Sequence, residues 1–101
     1  MVNTPEIFSA VFLDRDGVLN KPTIVNKKPY APKKYCDFKL YSGIREHLQV
    51  LKDNGFLIIV VTNQPDIGNG ITKLEEVQLM HKKLMKTNLI DGIYMLSLIH
   101  I

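Results

Sequence analysis

An α/β fold built on an open parallel sheet is what this 101-residue sequence predicts, and three observations carry the prediction. Two short apolar runs, Phe8–Leu13 and Leu57–Thr62, are nearly continuous and rich in β-branched and aromatic residues, the pattern of strands buried on both faces of a parallel sheet. A stretch of helical periodicity lies between them. Each run ends in a cluster of polar residues, and in open α/β sheets ligands bind beyond the carboxyl ends of the strands.

In chain order, the first strand closes at Leu13 and gives way to a polar turn. A lysine- and proline-rich stretch follows, read as an inserted basic loop over residues 21–37. Ser42 then caps a helix in which Ile44, Leu48 and Leu51 recur at helical spacing, and Asn54-Gly55 stops it. The second strand, Leu57–Thr62, completes one β-loop-α-β unit. Thr72, with Glu75 three residues later as a capping box, opens a second helix that runs to about Met85. Asp91-Gly92 leads into a third apolar run, Ile93–Ile101.

Length and composition bound the function. One domain accounts for the chain, and 46% hydrophobic with 23% charged residues suits a packed core and not a disordered tract. The apolar runs fall short of the roughly 20 residues that span a bilayer, and no basic-then-apolar leader opens the chain, so no membrane partner is expected. Cys36 has no second cysteine for a disulfide or a zinc knuckle, which makes the cytoplasm the expected compartment. Between Lys21 and Lys39 six lysines stand against Asp37 alone. That segment reads first as a solvated face, next as an attraction for an anionic substrate, and last, through Tyr30, Tyr35 and Phe38, as a nucleic-acid contact.

Chemistry concentrates at the two strand ends. After the first comes Asp14-Arg15-Asp16-Gly17, two carboxylates two residues apart with a glycine that permits a tight turn. Like charges so close call for a cation, and Mg²⁺ suits because it takes hard oxygen ligands, one or two carboxylates plus phosphate oxygens. Read alone, the string is first a polar turn with an Asp cap, and its position at a strand end is what favours the cation. After the second strand comes Thr62-Asn63-Gln64, neutral donors suited to orienting phosphate oxygens, or simply an exit turn before Pro65. Consecutive parallel strands would set the two clusters side by side.

Together these strings resemble a known family. Val11-Phe12-Leu13-Asp14-Arg15-Asp16-Gly17-Val18-Leu19-Asn20 is similar to the first motif of the haloacid dehalogenase superfamily, and Val60-Val61-Thr62-Asn63-Gln64 to its second. Lys28-Pro29-Tyr30-Ala31-Pro32, Phe38-Lys39-Leu40-Tyr41-Ser42-Gly43 and Thr62–Gly70 resemble the branch of the heptose-bisphosphate and histidinol-phosphate phosphatases. The resemblance runs from about Ile7 to Tyr94 and implies a Rossmann-like core, incomplete here, of which residues 1–101 are the N-terminal part.

What the resemblance implies is hydrolysis of a phosphate monoester on a small sugar, heptose 1,7-bisphosphate favoured, through an aspartyl-phosphate. Asp14 would be the nucleophile and Asp16 the acid and then base. Mg²⁺ would be held by Asp14 and the Asp16 main-chain carbonyl, Thr62 and Asn63 would hold the phosphoryl group, and Arg15, Asn20 and Gln64 would reach the substrate or order the loop. The basic loop would then serve a sugar phosphate. Rival readings are another phosphatase of the superfamily, acting on histidinol phosphate or a polynucleotide 3′-phosphate, and an inactive phosphate- or metal-binding module.

The pattern breaks towards the end. A later lysine and an acidic pair of the superfamily have no counterpart here. Relatives of this branch continue after Tyr94 into a zinc-binding cysteine and histidine loop, whereas residues 95–101 read as a foreign tail in which His100 alone makes no zinc site. Elsewhere, Gly68-Asn69-Gly70 reads as a turn, His47 and His81 as surface or half-buried, Cys36 as inert, and Met80, Leu84 and Met85 as core. Oligomeric state leaves no mark on the sequence.

Overall fold

Three parallel strands in the order β1-β4-β5 carry the fold, with β1 at Ser9–Asp14, β4 at Phe56–Asn63 and β5 at Gly92–Leu96. The structure, a computed structural model, describes residues 9–96; Ile7, Phe8 and residues 97–101, His100 among them, lie outside them, while Met95 and Leu96 of the tail 95–101 belong to β5. The register aligns Asp14 with Val61, and Val61 in turn with Tyr94, so the carboxyl ends of β1 and β4 lie together. This is the α/β class with a parallel sheet that the sequence predicts.

Both crossovers run in the same direction along the sheet, from β1 to β4 and from β4 to β5. Right-handed connections therefore put α1, Ile44–Asp53, and α3, Leu74–Met85, on one face. On that face Ile58 and Val60 pack with Leu48 of α1, Met80 and Leu84 of α3, and Leu19, Phe38 and Ile90 from the loops. Among the described residues the other face is open: Phe12 is 68% and Tyr94 67% exposed. Strands buried on both faces, as the apolar runs suggested, are thus not what these residues form. Alternation is present in β4, with Ile58, Val60 and Thr62 turned inward, but apolar residues on both sides masked it. Met85 likewise points outward, 43% exposed, one residue past the helix face that Leu84 buries.

Two helix starts shift by one residue. Gly43, at φ +80°, and not Ser42, is the cap of α1: His47 N–H bonds to the Gly43 carbonyl at 3.2 Å, and no side chain caps the end. For α3 the cap is Lys73 and not Thr72: the Thr72 side chain is buried and caps nothing, and the Thr72 N–H that Glu75 would have to reach to close a capping box is bonded to the Asp66 carbonyl at 3.1 Å. The stop at Asn54-Gly55 forms as expected, with Asn54 Nδ2 on the Val50 carbonyl at 2.7 Å and Gly55 at φ +85°.

The basic segment contains an antiparallel hairpin, β2 at Thr23–Val25 and β3 at Lys28–Tyr30, joined by Asn26 and Lys27 with φ of 51° and 64°. Two consecutive left-handed residues make the turn whose twist matches a two-residue hairpin. A 3-10 turn over Tyr35–Asp37 holds the exposed Cys36, and a short helix α2, Pro65–Gly68, follows β4.

Candidate active site

β1 ends on Asp14, whose side chain is exposed at the open side of the sheet. The chain then folds tightly: the Arg15 carbonyl accepts N–H bonds from Leu19 at 2.9 Å and Asn20 at 3.3 Å, and Gly17 N–H donates to the Asn20 carbonyl at 2.9 Å. Gly17 has φ +84°, and a Cβ there would meet nothing within 4 Å, so the backbone twist and not space calls for glycine. The turn reverses the Arg15 and Asp16 side chains so that neighbours in sequence face each other.

Arg15 is fully buried, and its Nε and Nη2 reach one oxygen of Asp16, Oδ1, at 3.0 and 2.8 Å. Asn20 Nδ2 donates to the same oxygen at 3.0 Å. Gln64, from the end of β4, donates through Nε2 to Asp16 Oδ2 at 2.8 Å and to Thr62 Oγ1 at 2.7 Å. The two clusters singled out in the sequence therefore meet at Asp16. Arg15, Asn20, Thr62 and Gln64 are all buried around it, while Asp14 and Asn63 stay exposed on the other side of their strands.

Three further residues complete the arrangement, none of them read as part of the site from sequence. Arg15 Nη1 lies 3.5 Å from Met80 Sδ and 3.2 Å from His81 Nε2, and the guanidinium stacks 5.4 Å from the Phe38 ring centroid. His81 is half-buried, as expected, and burial followed by the neighbouring Arg15 charge pushes its pKa down to about 4 against a smaller opposing pull from Asp16. The signal for it was helical spacing: Val77, His81 and Leu84 share one face of α3. His47 is exposed, away from this cluster.

The donor set suits a hard cation shared with a ligand. Among the described residues no group of three or more His, Cys, Asp or Glu side chains could hold a metal ion. Asp14 offers an uncommitted carboxylate, and the loop's backbone bonds converge on the Arg15 carbonyl, leaving that of Asp16 without a donor among the described residues. Mg²⁺ often takes one or two protein oxygens and completes its shell with phosphate and water. Asn20 Oδ1 is buried without a partner among the described residues, an acceptor left for a water or a hydroxyl.

No protein-family model matches the chain. It is 51% identical over 55 residues to an uncharacterized protein of Methanocaldococcus jannaschii, which covers 54% of this chain and 52% of that one. It is 33% identical over 91 residues to D-glycero-beta-D-manno-heptose-1,7-bisphosphate 7-phosphatase of Helicobacter pylori strain 26695, covering 84% of this chain and 49% of the relative. The chain thus spans about half the length of these relatives. Among solved structures, D,D-heptose 1,7-bisphosphate phosphatase from B. bronchiseptica, complexed with magnesium and phosphate, matches with a TM-score of 0.71 at 21% identity, over 87% of this chain and 49% of that one. In sequence and in fold, then, the chain is similar to the heptose-bisphosphate phosphatases of the haloacid dehalogenase superfamily, with its two strand-end motifs gathered at the carboxyl edge of the sheet.

Proposed function

We propose that the chain carries the nucleophile half of a Mg²⁺-dependent phosphate monoester hydrolase, acting on heptose 1,7-bisphosphate in the cytoplasm. The observation that supports this reading most is an Asp16 held from both strand ends, by Arg15 and Asn20 on one oxygen and by Gln64 on the other, two residues after an exposed Asp14.

In the first step an Asp14 carboxylate oxygen bonds to phosphorus in line as the P–O ester bond breaks, and the leaving sugar oxygen takes a proton from Asp16. In the second, water attacks the acyl phosphate, the P–O bond to Asp14 breaks, and Asp16 takes the proton back. Oδ1 of Asp16 is saturated by three donors, so Oδ2, which meets only Gln64, is the oxygen that carries the proton. Mg²⁺, held by Asp14 and the Asp16 carbonyl, would remove the repulsion between carboxylate and phosphate dianion. Thr62 Oγ1 accepts from Gln64, which leaves its O–H to donate to the phosphoryl group beside the Asn63 backbone.

The test is a panel of phosphate esters, with heptose 1,7-bisphosphate, histidinol phosphate and a 3′-phosphorylated oligonucleotide. It is run on the chain and on a chimera in which the chain replaces the matching region of the Helicobacter pylori relative. Release of phosphate from the heptose substrate first and fastest by the chimera, dependent on added Mg²⁺, with little or none from the chain by itself, is the expected result. Preference for either other ester would reassign the substrate, and ligand binding without turnover in the chimera would reduce the chain to a binding module.

A further inference from the structure

Asp16 is held by an arginine that is itself held from α3. Arg15 has only N–H donors, five of them in a rigid plane, and burial leaves none to water. Two of them close on Asp16 Oδ1, which still allows the plane to rock about that contact. The opposite edge of the plane faces Met80 Sδ and His81 Nε2, one face covers Phe38, and rocking would break contacts on both. We propose that His81 is a positioning residue whose Nε2 lone pair accepts the Arg15 Nη1–H and so locks the guanidinium that orients Asp16. The proposal rests on the reading of Asp16 as the proton-transfer residue.

The chemistry of the pair fixes the tautomer. Because arginine cannot accept, His81 must present an unprotonated Nε2 and carry its proton on Nδ1. An imidazolium would set two cations 3.2 Å apart, and the lowered His81 pKa agrees with that exclusion. The arrangement also couples the placement of α3 to the loop after β1, 66 residues away in sequence.

The experiment is NMR on the ¹⁵N-labelled chain at pH 6.5, reading the His81 imidazole nitrogens and the Arg15 Nε–H. The expected result is a neutral His81 with its proton on Nδ1 and a slowly exchanging Arg15 Nε–H. His81→Leu should speed that exchange by at least about tenfold, and His81→Gln, whose side-chain oxygen can still accept, should restore it. An Nε2–H tautomer or an imidazolium in the wild-type chain would overturn the proposal. So would Arg15 exchange that is the same in His81→Leu as in wild type. Where His81→Leu does not fold, the wild-type tautomer and the His81→Gln exchange decide. Phosphate release by the chimera with Asp16→Asn is measured alongside: turnover unchanged there would refute the role of Asp16 while the NMR result stands on its own.

Discussion

Arg15 places two N–H groups on one oxygen of Asp16, at 3.0 and 2.8 Å, while no part of it reaches solvent. Charge-assisted bonds of this kind are short because the guanidinium is ionised, and a guanidinium that leaves them has nowhere wet to go. The loop after β1 is therefore built around the Arg15–Asp16 pair as much as around its backbone turn.

Arg15→Met keeps the bulk and removes the donors, leaving Asp16 with Asn20 and Gln64 alone. A loss of about 2–4 kcal/mol in unfolding free energy is expected from denaturant titration. Arg15→Lys should recover less than half of it, because a single ammonium nitrogen cannot replace the Nε and Nη2 donors that converge on Oδ1 while a third nitrogen faces Met80 and His81.

His81 makes stability depend on pH. Its folded pKa, about 4, lies below the ordinary 6.5, so between these values the unfolded chain binds the extra proton. Stability from this group is then fully present above pH 6.5 and lost as pH falls towards 4. Solvent screening at a half-buried site reduces the size to on the order of 1–2 kcal/mol. Unfolding free energies of wild type and His81→Gln, compared from pH 7 to pH 4, should shift against the wild type by that amount, because glutamine does not titrate.

At the other end of the sheet, Asp91 ties three elements together. Its Oδ2 accepts from the Ile58 N–H at 2.7 Å and from Lys52 Nζ at 2.7 Å, while its own N–H donates to the Ile58 carbonyl at 2.8 Å. The Lys52 bond, then the Ile58 N–H, hold its carboxyl below the usual aspartate range, so this contribution is present at neutral pH and goes only in stronger acid. Asp91→Ala should cost about 1–2 kcal/mol and Lys52→Ala under about 1 kcal/mol, the ion-pair part common to both weakening with added salt and the Ile58 N–H part, lost only in Asp91→Ala, not.

The lysines of the basic segment are tested by varying substrate charge. In the chimera, replacing Lys27, Lys28, Lys33 and Lys34 by alanine should raise KM for a bisphosphate several-fold more than for a monophosphate, with the gap closing at high salt. Equal effects on the two substrates would mark the segment as a solvated face.

How much of this was legible can be read from single residues. Asp14, Asp16 and Thr62–Gln64 stood out because polar residues that end apolar strands fall at the ligand-binding edge of a parallel sheet. The burial of Arg15 was not legible, since an arginine in a loop reads as surface until Met80, His81 and Phe38 are brought to it by tertiary packing. Thr72 had the right chemistry for a cap, but its side chain is buried and Asp66 had already claimed the N–H that Glu75 would have to reach. The hairpin was hidden because Asn26-Lys27 lacks the glycine that normally announces such a turn.

The central claim is that Asp14 carries the phosphoryl group, and chemical trapping tests it most directly. The chimera is mixed with substrate and Mg²⁺, quenched in acid, reduced with borohydride to convert an aspartyl phosphate to homoserine, and sequenced by mass spectrometry. The account predicts homoserine at position 14, none in Asp14→Asn, and a fall in turnover of at least about a hundredfold in that variant. Turnover by the chimera with no modification at position 14, or retained by Asp14→Asn, would contradict it.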